Sequence, residues 1–401
     1  MVEAHNVNIC VVNTLFPPHV SGTARSAFLL SKKLAAAGHA VTVITSRNEG
    51  TSAIDNSSGL SVHRLRSIRY PKLEILHNAD LRTNLVPGNL SEILGILARN
   101  EVDVVQTYGQ FFDLTFLSIL AAKLLRRPVV LTIGTRMEHT VRLYDVLFRF
   151  IDETLIRHLV ARRVDRIVAM DKLMRDYMIR RYGAMEPVIS FIPAGVDVER
   201  FAEPKGEFVR KMYGIRNTDP VVLSVGTTSN LRGARSLIQA MPRVLKQFPS
   251  AKLLIVGSMY SSEPVQLANK LGLEGSVVFT GRVDYDMIPS YLAACDVEGH
   301  DLDSGLGIGL ASLEAMAAGK AVLSSAREDN FMDLKLSNWN NIVLVRPGNT
   351  GDVSDVLLRL FSDRGLGEGI GKNAQSFVRD HFSLDSVCRK YEALYNEVAK
   401  A

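Results

Sequence analysis

The sequence predicts an α/β chain made of two doubly wound domains, each a parallel sheet with helices on both faces. Three observations lead there. Strand-length apolar runs alternate with helix-length amphipathic runs almost throughout. The strand runs, such as VVLTI at 129–133 and VVLSV at 221–225, are continuously apolar, as befits strands buried on both faces. The length of 401 residues exceeds one ordinary domain and suits two of ~200 each.

Taken in order, a β-branched strand at 7–15 runs into PPHVSG, a loop that opens a helix at 23–37 closed by Gly38. Strands follow at 40–45 and, with half-buried alternation, at 60–66. Residues 70–89 show no period and read as an irregular excursion. The alternation resumes with helix 90–99, strand 103–107, helix 112–125, strand 129–133, a basic helix at 144–160, strand 166–170, helix 172–182 and strand 189–192.

Polar and turn-forming residues then take over in PAGVDVERFAEPKG, and the domain boundary is placed there: a first domain at 1–202, a second at 203–381, and a final helical segment at 382–401. The second domain reads as strand 221–225, helix 234–247, strand 252–256, helix 264–270, strand 276–280 and helix 285–294. The glycine-rich stretch 303–325 and helices at 351–361 and 365–381 complete it. The last segment carries Val387, Tyr391, Leu394, Tyr395 and Val398 at helical spacing. Two such domains in tandem predict a central cleft, with ligands beyond the carboxyl ends of the strands.

Composition narrows the function classes. With 47% hydrophobic and 22% charged residues the chain is an ordinary globular protein. Its net charge of +5 is too modest to point to nucleic acid. Cys10, Cys295 and Cys388 are odd in number and far apart, so neither a disulfide framework nor a zinc cluster is expected. No apolar run reaches the ~20 residues that span a bilayer, and the N-terminus lacks the features of a signal peptide. A cytoplasmic setting is the expectation, with no metal called for.

The stretch DSGLGIGLASLEAMAAGKAVLSS, 303–325, carries the strongest local chemistry. Gly305, Gly307 and Gly309 let the backbone approach a ligand closely, and the helix that follows presents unpaired N–H groups suited to phosphate. Glu314 falls about one turn into that otherwise apolar helix. Its carboxylate either meets a structural partner or reaches sugar hydroxyls of a nucleotide.

Basic residues cluster at Arg64, Arg66, Arg69 and Lys72, and around the helix at 144–160 with Arg142, Arg149, Arg157, Arg162 and Arg163. Val146, Leu147, Phe150, Ile151, Thr154, Leu155 and His158 share helical spacing there. The pattern fits a solvated helix face or a helix lying on an anionic membrane surface.

Several segments together resemble the family 4 (group 1) glycosyltransferases, retaining enzymes of the GT-B fold that use nucleotide-sugar donors. The resembling segments are PPHVSGTARSAFLLSKKLAAAGHAVTVIT, FIPAGVDVERF, LSVGTTSNLRGARSLIQAM, VVFTGRV and SLEAMAAGKAV, spread over nearly the whole chain. The resemblance implies a UDP- or GDP-sugar donor and a glycan, lipid-linked or small-molecule acceptor. Arg232, Gly307, Ile308 and Gly309 fall where the family holds the diphosphate, Glu314 where it holds the ribose, and the Arg282 and Val283 backbone where it meets the base; Gly226 and Gly305 are further donor-binding candidates. Arg232 and Asp303 are the catalytic candidates, Asp303 toward the transferred sugar. Ser21, Gly22, Arg25 and Gln106 lie on the acceptor side. In the family the last helix crosses back to the first domain; a plain capping helix on the second domain is the other reading.

Three positions depart from the family pattern. Leu306 stands for a glutamate, Gly134 for a histidine and Thr227 for an arginine. Asp301, Asp303 and Glu298 are either substitutes for the missing carboxylate or solvent-facing loop acids, and His139 is the nearest histidine downstream of Gly134. These departures leave a second reading, a catalytically impaired relative that binds a nucleotide, a glycan or a partner. A sugar-nucleotide epimerase is weaker, for want of acid and base groups.

Overall fold

In a computed structural model of the chain the apolar runs form two separate parallel sheets. The structure describes residues 6–19, 21–56, 59–70, 82–137, 141–202, 205–226, 234–259, 261–300, 302–305 and 307–400. Two units divide the chain: residues 1–195 with 384–401, and residues 196–383.

The first unit contains β1 (Asn8–Val12), α1 (Gly22–Ala36), β2 (Ala40–Ser46), β3 (Ile54–Asp55), β4 (Ser61–Leu65), β5 (Ile68–Arg69), β6 (Arg82–Thr83), α2 (Asn89–Arg99), β7 (Val104–Tyr108), α3 (Asp113–Leu124) and β8 (Val129–Ile133). It continues with α4 (Arg142–Ile151), a π-helical turn at Asp152–Ile156, α5 (Arg157–Leu159), β9 (Arg166–Ala169), α6 (Lys172–Tyr182) and β10 (Ile189–Phe191). Among the described residues the strand order is β10-β9-β8-β7-β1-β2-β4-β3, parallel except for β3 against β4. Strand β1 shows why the sheet is doubly wound. Cys10 and Val12 enter one apolar cluster and Ile9 and Val11 the other, so both faces are covered.

The second unit contains α7 (Glu207–Met212), β11 (Val221–Val225), α8 (Arg235–Gln247), β12 (Lys252–Val256), α9 (Glu263–Lys270), β13 (Val277–Gly281), α10 (Ile288–Ala294), β14 (Val297–Gly299), α11 (Leu310–Ala317), β15 (Ala321–Ser324), β16 (Val343–Leu344), α12 (Thr350–Ser362) and α13 (Arg364–Phe382). Its order is β13-β12-β11-β14-β15-β16, all parallel. The strand order reverses between β11 and β14, and ligands of such sheets bind outside the carboxyl ends of the strands at that point.

Helix α14 (Leu384–Lys400) belongs to the first unit. Val387, Tyr391, Leu394, Tyr395 and Val398 join the cluster of β1 and α1, and Glu392 reaches the His39 imidazole at 3.2 Å. The division falls between Gly195 and Val196, earlier than the 202/203 position read from composition. The turn Val198–Phe201 packs on α11, with Phe201 fully buried, so this polar-looking stretch is already part of the second core.

Other differences from the sequence reading have local causes. The excursion at 70–89 holds one strand of a small antiparallel pair, β5 with β6. Strands β3, β14 and β16 have only two or three residues, too few for a periodic signal. Arg64 is not part of a surface cluster; it is buried, pairs with Asp55 at 3.1 Å and donates to the Pro17 carbonyl.

Candidate active site

The glycine loop meets the second sheet where its strand order reverses. Gly226 follows β11, Gly299 ends β14 with His300 next after it, and Gly307–Gly309 lead into α11. Gly309 is the N-cap residue of α11 and has no side chain to offer as a cap. A Cβ on Gly307, at φ +94°, would sit 2.6 Å from Asn330 Oδ1, so both backbone shape and space require glycine there. Ile308 is buried.

His300, missed in the sequence, joins these pieces. A Cβ on Gly226 would overlap its ring, with Nδ1 at 3.1 Å, and one on Gly309 would lie 4.0 Å from Cδ2. The imidazole therefore lies against the glycine after β11 and close to the start of α11. No spacing rule in the sequence links residues 226, 300 and 309; only the strand order brings them together.

Glu314 sits on α11 with 4% of its surface exposed, and the Tyr285 hydroxyl donates to its Oε1. Tyr285 follows Arg282 and Val283 on the loop after β13, so that loop is tied to α11. Arg200 stacks on the Tyr285 ring, its guanidinium carbon 4.6 Å from the centroid. Arg282 itself is exposed and Val283 half-buried.

Asp303 accepts a hydrogen bond from Ser236 at the start of α8 through Oδ1, while Oδ2 is buried without a hydrogen-bond partner among the described residues. Gly305 donates its N–H to Ser325 Oγ at 3.2 Å. Arg232, Thr227, Leu306, Asp301 and His139 lie outside the described residues.

Glu298 is not a loop acid. It is the middle residue of β14, opposite Leu223 of β11 and Val322 of β15, and it is 0% exposed. Neither carboxyl oxygen has a hydrogen-bond partner among the described residues. Burial pushes its pKa up to about 8, and the Glu314 carboxylate adds to the rise. The Ser312 hydroxyl favours the ionised form but stands outside hydrogen-bond geometry, so burial dominates.

On the first unit, Ser21 caps α1 by accepting from the Ala24 N–H at 3.1 Å, and Gly22 is exposed with open space around its α-carbon. Arg25 lies over the Phe28 ring. Gln106 is a correction. It is fully buried; its Nε2 donates to Thr132 Oγ1 at 2.8 Å and its Oε1 accepts from the Tyr395 hydroxyl at 3.1 Å. It fastens α14 to β7 and presents nothing to an acceptor. Gly134 also has a structural reason: the tip of Met170 fills the space a side chain would need.

Among the described residues no group of three His, Cys, Asp or Glu side chains is arranged to hold a metal ion, and no helix is long and apolar enough to cross a membrane.

Comparison with known proteins bears on the family and the fold. Residues 20–200 match the family model described as Glycosyltransferase Family 4, and residues 206–377 that described as Glycosyl transferases group 1. The alpha-monoglucosyldiacylglycerol synthase of Streptococcus pneumoniae is 26% identical over 77% of this chain and 68% of its own length. A GDP-mannose-dependent alpha-(1-6)-phosphatidylinositol monomannoside mannosyltransferase of Mycobacterium tuberculosis is 24% identical over 95% and 96% respectively. Among solved structures, Anabaena HepE in complex with UDP superposes with a TM-score of 0.77 at 18% identity, covering 98% of this chain and all of its own. Sucrose-phosphate synthase from Thermosynechococcus elongatus gives 0.77 at 19% identity over 98% and 99%. The two family matches together take in most of the sequence, and the chain belongs to the family 4, group 1 glycosyltransferases of the GT-B fold.

Proposed function

We propose that this glycosyltransferase moves a sugar from a UDP- or GDP-sugar to a glycan or lipid-linked acceptor with retention of anomeric configuration. The observation that carries the donor side is the buried Glu314, aimed by Tyr285, on a helix whose open N-terminus follows a glycine loop at the reversal of the sheet. Nucleoside diphosphate chemistry fits each part. The first turn of α11 offers N–H groups to the diphosphate, Glu314 accepts from ribose hydroxyls, and the loop carrying Arg282 and Val283 meets the base. Arg232 supplies positive charge to the leaving group, and Asp303, steadied by Ser236, faces the transferred sugar.

In the reaction the bond from the anomeric carbon to the donor phosphate breaks and a bond to the acceptor oxygen forms on the same face. The leaving phosphate takes the acceptor's proton, so no protein base is required. Named relatives supply the nucleotide choices: one is GDP-mannose-dependent, and HepE was solved with UDP. Glu314→Ala is expected to weaken UDP or GDP binding by about 1–3 kcal/mol, through loss of charge-assisted hydrogen bonds. Titration calorimetry that finds an unchanged affinity would remove Glu314 from the donor site.

The acceptor reading rests on α4 and the turn after it. Leu143 is 73% exposed and Phe150 65%, and Val146, Leu147, Leu155 and Leu159 are exposed with them. A π turn inserts one residue per turn, so Leu155, five residues after Phe150, stays on the same face, and Leu159 follows it by four. Arg142, Arg149, Arg162 and Arg163 are exposed around this stripe. An apolar stripe among arginines fits an anionic bilayer surface at the cytoplasmic face. The inward side of the turn is fixed by Asp152, which accepts from the Tyr177 hydroxyl and, at 2.6 Å, from the Tyr182 hydroxyl. Leu147→Glu with Phe150→Glu is expected to abolish co-sedimentation with vesicles rich in phosphatidylglycerol at low salt. Retained binding by that variant would exclude this face as the docking surface.

A further inference from the structure

Two buried acidic groups meet where α11 packs on β14, one on the helix and one in the strand beneath it. Glu314 is on the helix and bonded to Tyr285. Glu298 lies in the strand below, shut off from solvent, with both oxygens unpaired among the described residues. The strand's alternation explains the placement. Val297 enters the apolar cluster on one face of the sheet, so Glu298 is turned to the other, where Ser312 and Glu314 of α11 act on it.

An unpaired carboxyl in the middle of a three-residue strand has no value for sheet stability, since leucine or valine fills such a position without desolvating a polar group. Among the described residues, the acid that bears on it is the one assigned to the ribose. We propose that Glu298 is a positioning residue of the donor site: sealed in the strand beneath α11 with neither oxygen hydrogen-bonded among the described residues, it acts on the Glu314 carboxylate from inside the sheet, so that its charge state governs donor binding. This rests on the reading of Glu314 as a donor ligand.

The surroundings make Glu314 the group through which the charge on Glu298 acts. The flanking strands place Leu223 and Val322 beside it, neither ionisable. At the amino end of β14, Asp296 is paired with Arg210, Lys320 donates to the Ala293 carbonyl, and burial pushes the Cys295 thiol up to about 12, where it stays neutral. At the carboxyl end His300 turns toward Gly226 and Gly309. When Glu298 loses its proton, two carboxylates share one buried face of α11. The nearer to water, Glu314, then also accepts the ribose hydroxyls against the field of a second negative charge.

The test is calorimetric binding of UDP and GDP to the full chain from pH 6.5 to 9, with parent, Glu298→Gln, Glu298→Met and Glu314→Ala proteins. For the nucleotide the parent binds, affinity is expected to fall about tenfold between pH 7 and pH 9, and Glu298→Gln is expected to remove that fall. Glu298→Met also removes the titrating group, so it gives the same readout should the glutamine variant not fold. A packing role alone would leave the slope of the parent intact in both variants. An equal fall in parent and Glu298 variants, with Glu314→Ala weakened, overturns the positioning role and leaves the donor site standing. Unchanged binding by Glu314→Ala overturns the donor-site reading itself.

Discussion

Glu298→Gln is expected to gain about 3–4 kcal/mol of stability relative to the parent chain between pH 5 and pH 8. In the unfolded chain this glutamate releases its proton near 4.5, whereas in the fold it does so near about 8. Between those values the native state holds a proton that the unfolded state has lost, so raising the pH favours unfolding. The cost is absent below pH 4.5, grows through the window and is complete above pH 8. Glutamine does not titrate and escapes it. Denaturant unfolding at pH 5, 6.5 and 8 measures the difference. A constant offset between the two proteins would mean that Glu298 is ionised in the fold.

Gly371→Ala is expected to lower the stability of the second unit by about 3 kcal/mol. Gly371 lies where α13 crosses the end of α11, and an added Cβ would overlap the Gly319 carbonyl oxygen and lie 2.7 Å from the carbonyl carbon. These are backbone atoms, so no side chain can turn aside. Gly319, at φ +71°, closes α11 and cannot retreat without unwinding the helix that carries Glu314. Gly369→Ala is the control on the same helix, because nothing stands within 4 Å of its added Cβ. There the loss of glycine is expected to stabilise by about 0.5–1 kcal/mol. Equal urea midpoints for the two variants would show that α13 and α11 separate freely.

Most of the helices and longer strands are legible in the sequence because each repeats its period over enough residues. VVLSV and KLLIV become β11 and β12 at the residues expected. Strand β14 was not legible, and the reason is Glu298. An acid followed by GHDLDSG reads as a loop, and only the neighbours Leu223 and Val322 make it a strand. The candidate site divides the same way. The glycine loop and Glu314 are contiguous and carry their own signal. Tyr285 and His300 act from other connections, and their parts follow from the strand order. Gln106 misled for the opposite reason: an amide at a strand end suits a ligand, but the distant Tyr395 had already claimed it.

The membership of α14 in the first unit sets an order of events during synthesis. Residues 1–195 leave the ribosome first, yet their sheet lacks the apolar cover of Tyr391, Leu394 and Val398 and the hydroxyl that holds Gln106. Residues 196–383 form one uninterrupted unit that precedes α14 in the chain. The half of the protein made first is therefore the last to close, and a nascent chain arrested before residue 384 carries a finished nucleotide-fold unit behind an unfinished one. The first unit can close only once residues 384–400 have been made.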